Sequence, residues 1–132
     1  MEWNKDFEVG IEKIDRQHQK LFQRINELLV AMKEGKGKAE LLQTLKFLED
    51  YVNHHFEEEE MIQTQNNYPK YEKQHAEHEE FRNELKLLKN EFETKGVNVS
   101  LVIQVQRKMS EWWKNHITTL DKDLGAYIKQ KQ

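Results

Sequence analysis

Apolar residues recur along most of the chain at alternating steps of three and four residues, the spacing that places side chains on one face of an α-helix. The clearest stripe consists of Leu41, Leu45, Leu48, Val52, His55, Glu59 and Ile62. Comparable stripes predict four helices, over residues 12–34, 38–64, 69–93 and 100–128. Each would be about 30 Å long at the rise of an α-helix.

Residues that end or begin helices separate the four predicted segments. Gly35 and Gly37 follow the first helix, Pro69 begins the third, and Gly96 ends it. The connections are short, so consecutive helices are expected to pack antiparallel. The sequence therefore predicts an all-α fold, an up-down antiparallel four-helix bundle. Its single domain would span residues 1–132, with residues 1–11 as an extended N-terminal arm.

Composition removes several classes of function. The 132 residues include no cysteine, which excludes zinc fingers, iron–sulfur clusters and thiol catalysis. The net charge is −3 and lysines alternate with glutamates, so no basic surface for nucleic acid is expected. No apolar run approaches the length of a membrane span, and the polar N-terminus is unlike a signal peptide. These features predict a cytoplasmic protein that binds neither nucleic acid nor membrane.

Each predicted helix carries one histidine on its apolar stripe. These are His18, His55, His78 and His116. A single histidine on such a face is more often a hydrogen-bonded core residue than a ligand. Four of them would meet inside one bundle, where each unpaired polar group costs about 1–3 kcal/mol. The presence of one such histidine on each of the four helices favours a shared role in binding a ligand.

Two carboxylates strengthen the prediction of a metal site. Glu59 continues the stripe four residues after His55, whereas the similarly spaced His54 lies off it. A buried carboxylate needs a positive partner, and no lysine or arginine lies on the stripes at this level. Asp121 could turn inward if the helix distorts after His116. Imidazole with carboxylate suits iron, manganese or zinc, and this many ligands favours a dinuclear site.

At this level of detail the chain resembles the hemerythrin-like family over essentially its whole length. The matching residues include Trp3, Phe7, Val9, Gly10, Ile14, Asp15, His18, Leu21, His55, Phe56, Glu59, Glu60, Tyr68, Pro69, His78, Phe81, Trp112, His116, Ile117 and Asp121. Their spacing along the chain is specific in combination. The resemblance implies a non-haem protein with two iron ions, oxo- or hydroxo-bridged, that binds molecular oxygen reversibly.

The resemblance also implies roles for individual residues. His18 and His55 would hold the iron with an open place for oxygen, and His78 and His116 the other iron. Glu59 and Asp121 would bridge the two ions. The protein would store, deliver or sense oxygen rather than act as an enzyme, as a monomer or weak homo-oligomer.

Two positions depart from the family pattern. Gln74 stands where the family has a third histidine on the second iron, and His75 follows it, rotated by about 100° on the helix. The amide of Gln74, a water molecule, or His75 after a helix shift could complete that iron. The departure keeps open an alternative function as a di-iron peroxidase or oxidase, or in iron or nitric-oxide handling. Trp113 is bulkier than the usual residue; its spacing and that of Leu21, Phe56 and Ile117 fits the walls of an oxygen pocket and ordinary core packing equally well.

Overall fold

The computed structural model describes residues 2–131 and is entirely helical in its regular structure. The long helices are α1 (Glu12–Lys33), α2 (Lys38–Gln65), α3 (Tyr71–Thr94), α4 (Val99–His116) and α5 (Lys122–Gln130). Met1, where the predicted arm begins, and Gln132, where the predicted domain ends, lie outside the described residues.

The helices form the expected bundle. Helix α1 packs against α2 and α4, and α2 packs against α3. The apolar stripes face one another, and side chains such as Ile14, Ile25, Leu48 and Val52 are fully buried between them. The all-α four-helix bundle is therefore confirmed. Among residues 2–131, no helix has the length and apolar character needed to span a membrane.

The N-terminal arm is anchored to the bundle and is not extended throughout. Its residues Lys5–Phe7 form one turn of 3₁₀ helix. The carboxylate of Asp15 accepts hydrogen bonds from the backbone N–H groups of Val9, at 2.8 Å, and Gly10, at 3.3 Å. The arm then passes so close to α5 that a Cβ atom on Gly125 would lie 1.8 Å from the carbonyl oxygen of Val9.

The fourth helix is interrupted, whereas the stripe predicted one helix over 100–128. A π-helical turn, Ile117–Asp121, separates α4 from α5. The hydroxyls of Thr118 and Thr119 donate to backbone carbonyls four residues earlier, a bond that competes with regular helix pairing. Because the π spacing is five residues, Asp121 returns to the face of His116. This is the distortion that an inward Asp121 requires.

Candidate metal centre

All six residues predicted as metal ligands lie in the core of the bundle. Each is at most 1% exposed, and together with two glutamines they make up the buried polar residues of the described chain. These eight are His18, His55, Glu59, Gln63, Gln74, His78, His116 and Asp121. Such a concentration of polar groups in one core needs a chemical explanation.

The first donor set joins α1, α2 and the π turn. It consists of the Nε2 atoms of His18 and His55 with Glu59 Oε2 and Asp121 Oδ2. The Nε2 atom of His18 lies 3.1 Å from Asp121 Oδ2 and 4.0 Å from Glu59 Oε2, and that of His55 lies 3.5 Å from Glu59 Oε2. Ligand atoms of these four residues lie within 4.8 Å of one another, close enough to share one metal ion.

The second donor set joins α2, α3, α4 and the π turn. It consists of the Nε2 atoms of His78 and His116 with Glu59 Oε1, and Asp121 Oδ1 lies beside the His116 nitrogen. The Nε2 atom of His78 lies 3.1 Å from Glu59 Oε1, and that of His116 lies 3.2 Å from Asp121 Oδ1 and 3.8 Å from Glu59 Oε1. Each carboxylate thus directs one oxygen at each set.

Hydrogen bonds within the protein leave many of these atoms without a partner. In the described chain they are His18 Nε2, His55 Nε2, His116 Nε2, Glu59 Oε2 and Asp121 Oδ2. Among these five atoms the shortest contact is 3.1 Å, between His18 Nε2 and Asp121 Oδ2. Positive charge between the two sets would satisfy all five atoms. The donors are imidazole nitrogens and carboxylate oxygens, the chemistry that iron accepts, so the residues fit such a metal.

Acceptors from neighbouring helices orient three of the four imidazoles. The Nδ1 atom of His55 lies 2.7 Å from the amide oxygen of Gln17. Those of His78 and His116 lie 2.8 Å from Glu60 Oε2 and 2.9 Å from Glu77 Oε1. Carboxylate and amide oxygens only accept, so each of these three Nδ1 atoms carries a proton, and a ring that is neutral then has its Nε2 lone pair for a metal ion. This arrangement is typical of metal-bound histidine.

Burial and charge pull the ionisation of the first set in opposite directions. Burial lowers the pKa of His55 to about 3, against the opposing charge of Glu59. Burial alone would raise the pKa of Glu59, but the neighbouring His116 and His78 rings hold it below the ordinary value. A neutral His55 beside an ionised carboxylate is the protonation state in which both can ligate a cation.

The second set shows a coupled pair. Burial acts to raise the pKa of Asp121, but the His116 and His18 rings hold it well below its usual range. Burial acts to lower the pKa of His116, yet Asp121, Glu59 and Glu77 raise it well above the ordinary value. The carboxylates around His116 thus favour a positive charge at this point of the core. A metal ion would take over that charge.

Gln74 and His75 occupy different environments. Gln74 is fully buried, and its Nε2 donates to Asp121 Oδ1 at 2.9 Å. His75 is half exposed and its Nδ1 lies 2.8 Å from Glu60 Oε1. Helix α3 has not shifted to present His75 to the donor sets, and His54 is likewise exposed, 3.9 Å from Glu58. The structure brings the six predicted residues together and leaves these two histidines outside.

Sequence reasoning missed four residues of the site. The stripe in α2 continues from Glu59 to Gln63, which is fully buried, and leaves Ile62 only partly buried. Gln17, Glu60 and Glu77 are each adjacent in sequence to a predicted ligand. Each nevertheless orients a histidine of a different helix: His55, His78 and His116, respectively. Glu60 belongs to a run of four glutamates that indicates a solvated face. Adjacency to a ligand was the available signal.

Large apolar side chains enclose the first donor set. Leu21, Phe56, Trp113 and Ile117 are completely buried. The Trp113 ring centroid lies 6.1 Å from those of His18 and His55 and stacks on Phe56 at 5.8 Å. Phe56 also stacks on His78 at 3.9 Å, and Trp112 stacks on His116 at 4.6 Å, so that aromatic rings cover both donor sets.

Known proteins share this sequence and architecture. Residues 9–128 match the family model described as the hemerythrin HHE cation binding domain. A bacteriohemerythrin of Clostridium acetobutylicum is 28% identical over 127 residues, which cover 92% of this chain and 95% of that protein. One from Stenotrophomonas maltophilia is 27% identical, over 96% of this chain and 80% of that protein.

A solved structure agrees. The crystal structure of a wild-type hemerythrin superposes with a TM-score of 0.84 at 28% identity, covering 96% of this chain and 95% of that one. A mutant hemerythrin gives a TM-score of 0.85 at 27% identity. The match runs through the helices that carry both donor sets. This chain therefore belongs to the hemerythrin HHE cation-binding family.

Proposed function

We propose that this protein binds molecular oxygen reversibly at a centre of two iron ions in the bundle core. One observation carries the proposal: Glu59 and Asp121 each direct one oxygen at the first donor set and the other at the second. Two carboxylates shared in this way are suited to bridge a pair of cations. Family membership supports iron as the metal and favours oxygen binding over the peroxidase or oxidase alternative.

In this proposal the six buried residues are the ligands. His18 and His55 hold one ion, His78 and His116 hold the other, and Glu59 and Asp121 bridge them. A pair of iron ions bound there supplies the electrons that hold oxygen reversibly. The chain supplies the fixed positions, because each ligand projects from a helix or from the π turn and is packed on all sides.

The surrounding residues protect that chemistry. Phe56 and Trp113 exclude water from the first donor set, and a dry, apolar wall disfavours release of charged oxygen species. Gln17, Glu60 and Glu77 keep the Nδ1 protons in place, so that each imidazole offers Nε2. This outer layer also strengthens the ligand character of each ring.

Oxygen uptake by the reconstituted protein tests the proposal. The protein is loaded with ferrous iron under argon, and the oxygen bound per chain is measured with an oxygen electrode. We expect one oxygen molecule for each pair of irons. The variant Glu59→Gln should lose both iron and uptake, because the amide cannot bridge two cations as a carboxylate does.

Glu57→Gln is the matched control, since Glu57 is an exposed member of the same glutamate run. It should bind iron and oxygen as the parent protein does. Equal uptake by Glu59→Gln and Glu57→Gln would contradict the proposal. So would a parent protein that binds no iron.

A further inference from the structure

Both donor sets have two imidazole nitrogens and one oxygen of Glu59. Asp121 completes the first set and approaches the second only through the contact of Oδ1 with His116. Iron held by two histidines and carboxylate keeps open places for further ligands. Among residues 2–131, no further His, Asp or Glu gives the second set a ligand that the first set lacks.

Gln74 faces the second set with a fixed orientation. Its Nε2 donates to Asp121 Oδ1 at 2.9 Å, and a carboxylate cannot donate in return, so the amide nitrogen must be the atom that faces Asp121. The other end of the amide, Oε1, is buried and has no partner among residues 2–131. The side chain therefore anchors Asp121 and presents an unused acceptor to the interior.

Gln63 adds two more unused polar atoms at the same level. It is fully buried, and neither its Oε1 nor its Nε2 finds a partner in the described part of the chain. Gln63 follows Glu59 by four residues and Gln74 precedes His78 by four. Because α2 and α3 run antiparallel, both amides lie about 6 Å beyond the ligands toward the same end of the bundle.

Aromatic rings pack on the histidines of both donor sets. Trp113 lies 6.1 Å from His18, His55 and His116, and Phe56 stacks on His78 at 3.9 Å. The unpaired polar atoms lie one helical turn beyond His78 and Glu59, where Gln74 and Gln63 together leave one donor and two acceptors without a partner among residues 2–131. Buried polar atoms of this kind are normally satisfied by water or by a ligand.

We propose that the second donor set has its own site for a small hydrogen-bonding ligand, on the side of Gln63 and Gln74. Its occupant is a water molecule, a hydroxide or another small anion, bound to the metal ion of that set and hydrogen-bonded to the amides. This site is additional to the open place at the first set. It rests on the proposed function, because it requires metal at both sets.

Azide titration of the oxidised, iron-loaded protein tests this second site. Binding is followed by the visible spectrum and by calorimetry, and iron is counted in the same samples. We expect two azide-binding events in the parent protein. Gln74→His places an imidazole at the open place, so this variant should keep the first event and lose the second.

A second substitution tests the amides without adding a ligand. Gln63→Leu should weaken the second azide event about tenfold, through the lost hydrogen bond to a charged ligand, and leave the first unchanged. Gln43→Leu, at an exposed position of the same helix, should change neither event.

The outcomes separate the two proposals. A protein that holds both irons, binds a single azide ion and does so identically after Gln74→His would overturn the second site alone. Identical azide binding by Gln63→Leu and Gln43→Leu would overturn it as well. Failure to hold two irons would instead contradict the proposed function.

Discussion

Most of the ligand histidines in this core have one hydrogen-bond partner, whereas both ring nitrogens of His18 lack one among residues 2–131. A buried imidazole or carboxylate without one costs about 1–3 kcal/mol or more. Three of the ligand histidines have an acceptor at Nδ1, and in two cases it is a carboxylate, Glu60 or Glu77. Glu60 also bonds His75, and although burial acts to raise its pKa, these two histidines lower it to about 2. Glu60 is therefore ionised in its contacts with His75 and His78.

Removal of one outer carboxylate should weaken the centre without touching a ligand. Glu60→Ala takes the acceptor from His78 Nδ1, so we expect iron affinity to fall roughly 10–100-fold. Competition with a chromophoric chelator measures the change. Glu58→Ala is the matched control, because Glu58 bonds the surface residue Lys13 instead. Equal losses in the two variants would show that the contact with His78 has no role.

Periodicity identified the inward residues better than the outer ones. A three-and-four spacing finds His18, His55, Glu59, His78 and His116 because ligands and core residues share one face. It cannot separate Ile62 from Gln63, which both follow Glu59 at a helical step. Glu60 contacts His75 and His78 of α3. A contact between two helices produces no periodic pattern in the sequence of either helix.

At the scale of elements, the π turn decides whether the centre is complete. In a regular helix Asp121 would point well away from His116, and the five-residue turn brings it back. The helices themselves follow from their apolar stripes and breakers. The interruption does not, because it depends on Asp121 meeting His18, His116 and Gln74 in the folded core.

Deletion of Thr119 should restore the regular register and remove the bridge. The carboxylate of Asp121 would rotate by about 100° around the helix. We expect iron content to drop below that of the parent while the helical circular dichroism stays the same. Thr119→Ser, which keeps the residue count and the hydroxyl, is the control and should bind iron normally. Full iron content after the deletion would contradict the role given to the turn.

The contact between the arm and α5 offers a second test of an element. Gly125→Ala would place a Cβ 1.8 Å from the Val9 carbonyl and so must displace the arm. We expect a loss of about 1–3 kcal/mol in the free energy of unfolding, measured in urea. At Gly37 an added Cβ meets nothing within 4 Å, so Gly37→Ala should cost less. A Gly125→Ala protein as stable as Gly37→Ala would mean that the arm is not packed there.

At the scale of the whole molecule, the candidate metal centre connects all four helices α1, α2, α3 and α4 through one buried cluster of histidines and carboxylates. Metal bound to the folded state stabilises it by mass action. Without metal, a protonated imidazole such as that of His116 has to balance the charge of the carboxylates. The folded protein is expected to be less stable in this state.

Removal of metal should therefore lower the melting temperature. We expect a fall of roughly 10 °C when a chelator strips the loaded protein. Circular dichroism before and after chelation measures it, and iron added back under argon should reverse it. A melting temperature that ignores the chelator, in protein shown to contain iron, would contradict the structural role of the centre.

Repeated exposure of the iron-loaded protein to air and argon tests reversible oxygen binding most directly. We predict a visible absorption change that appears in air, disappears under argon and returns over several cycles, with iron content constant. Irreversible oxidation in the first cycle, or turnover of added peroxide with no return of the spectrum, would contradict a reversible oxygen-binding centre.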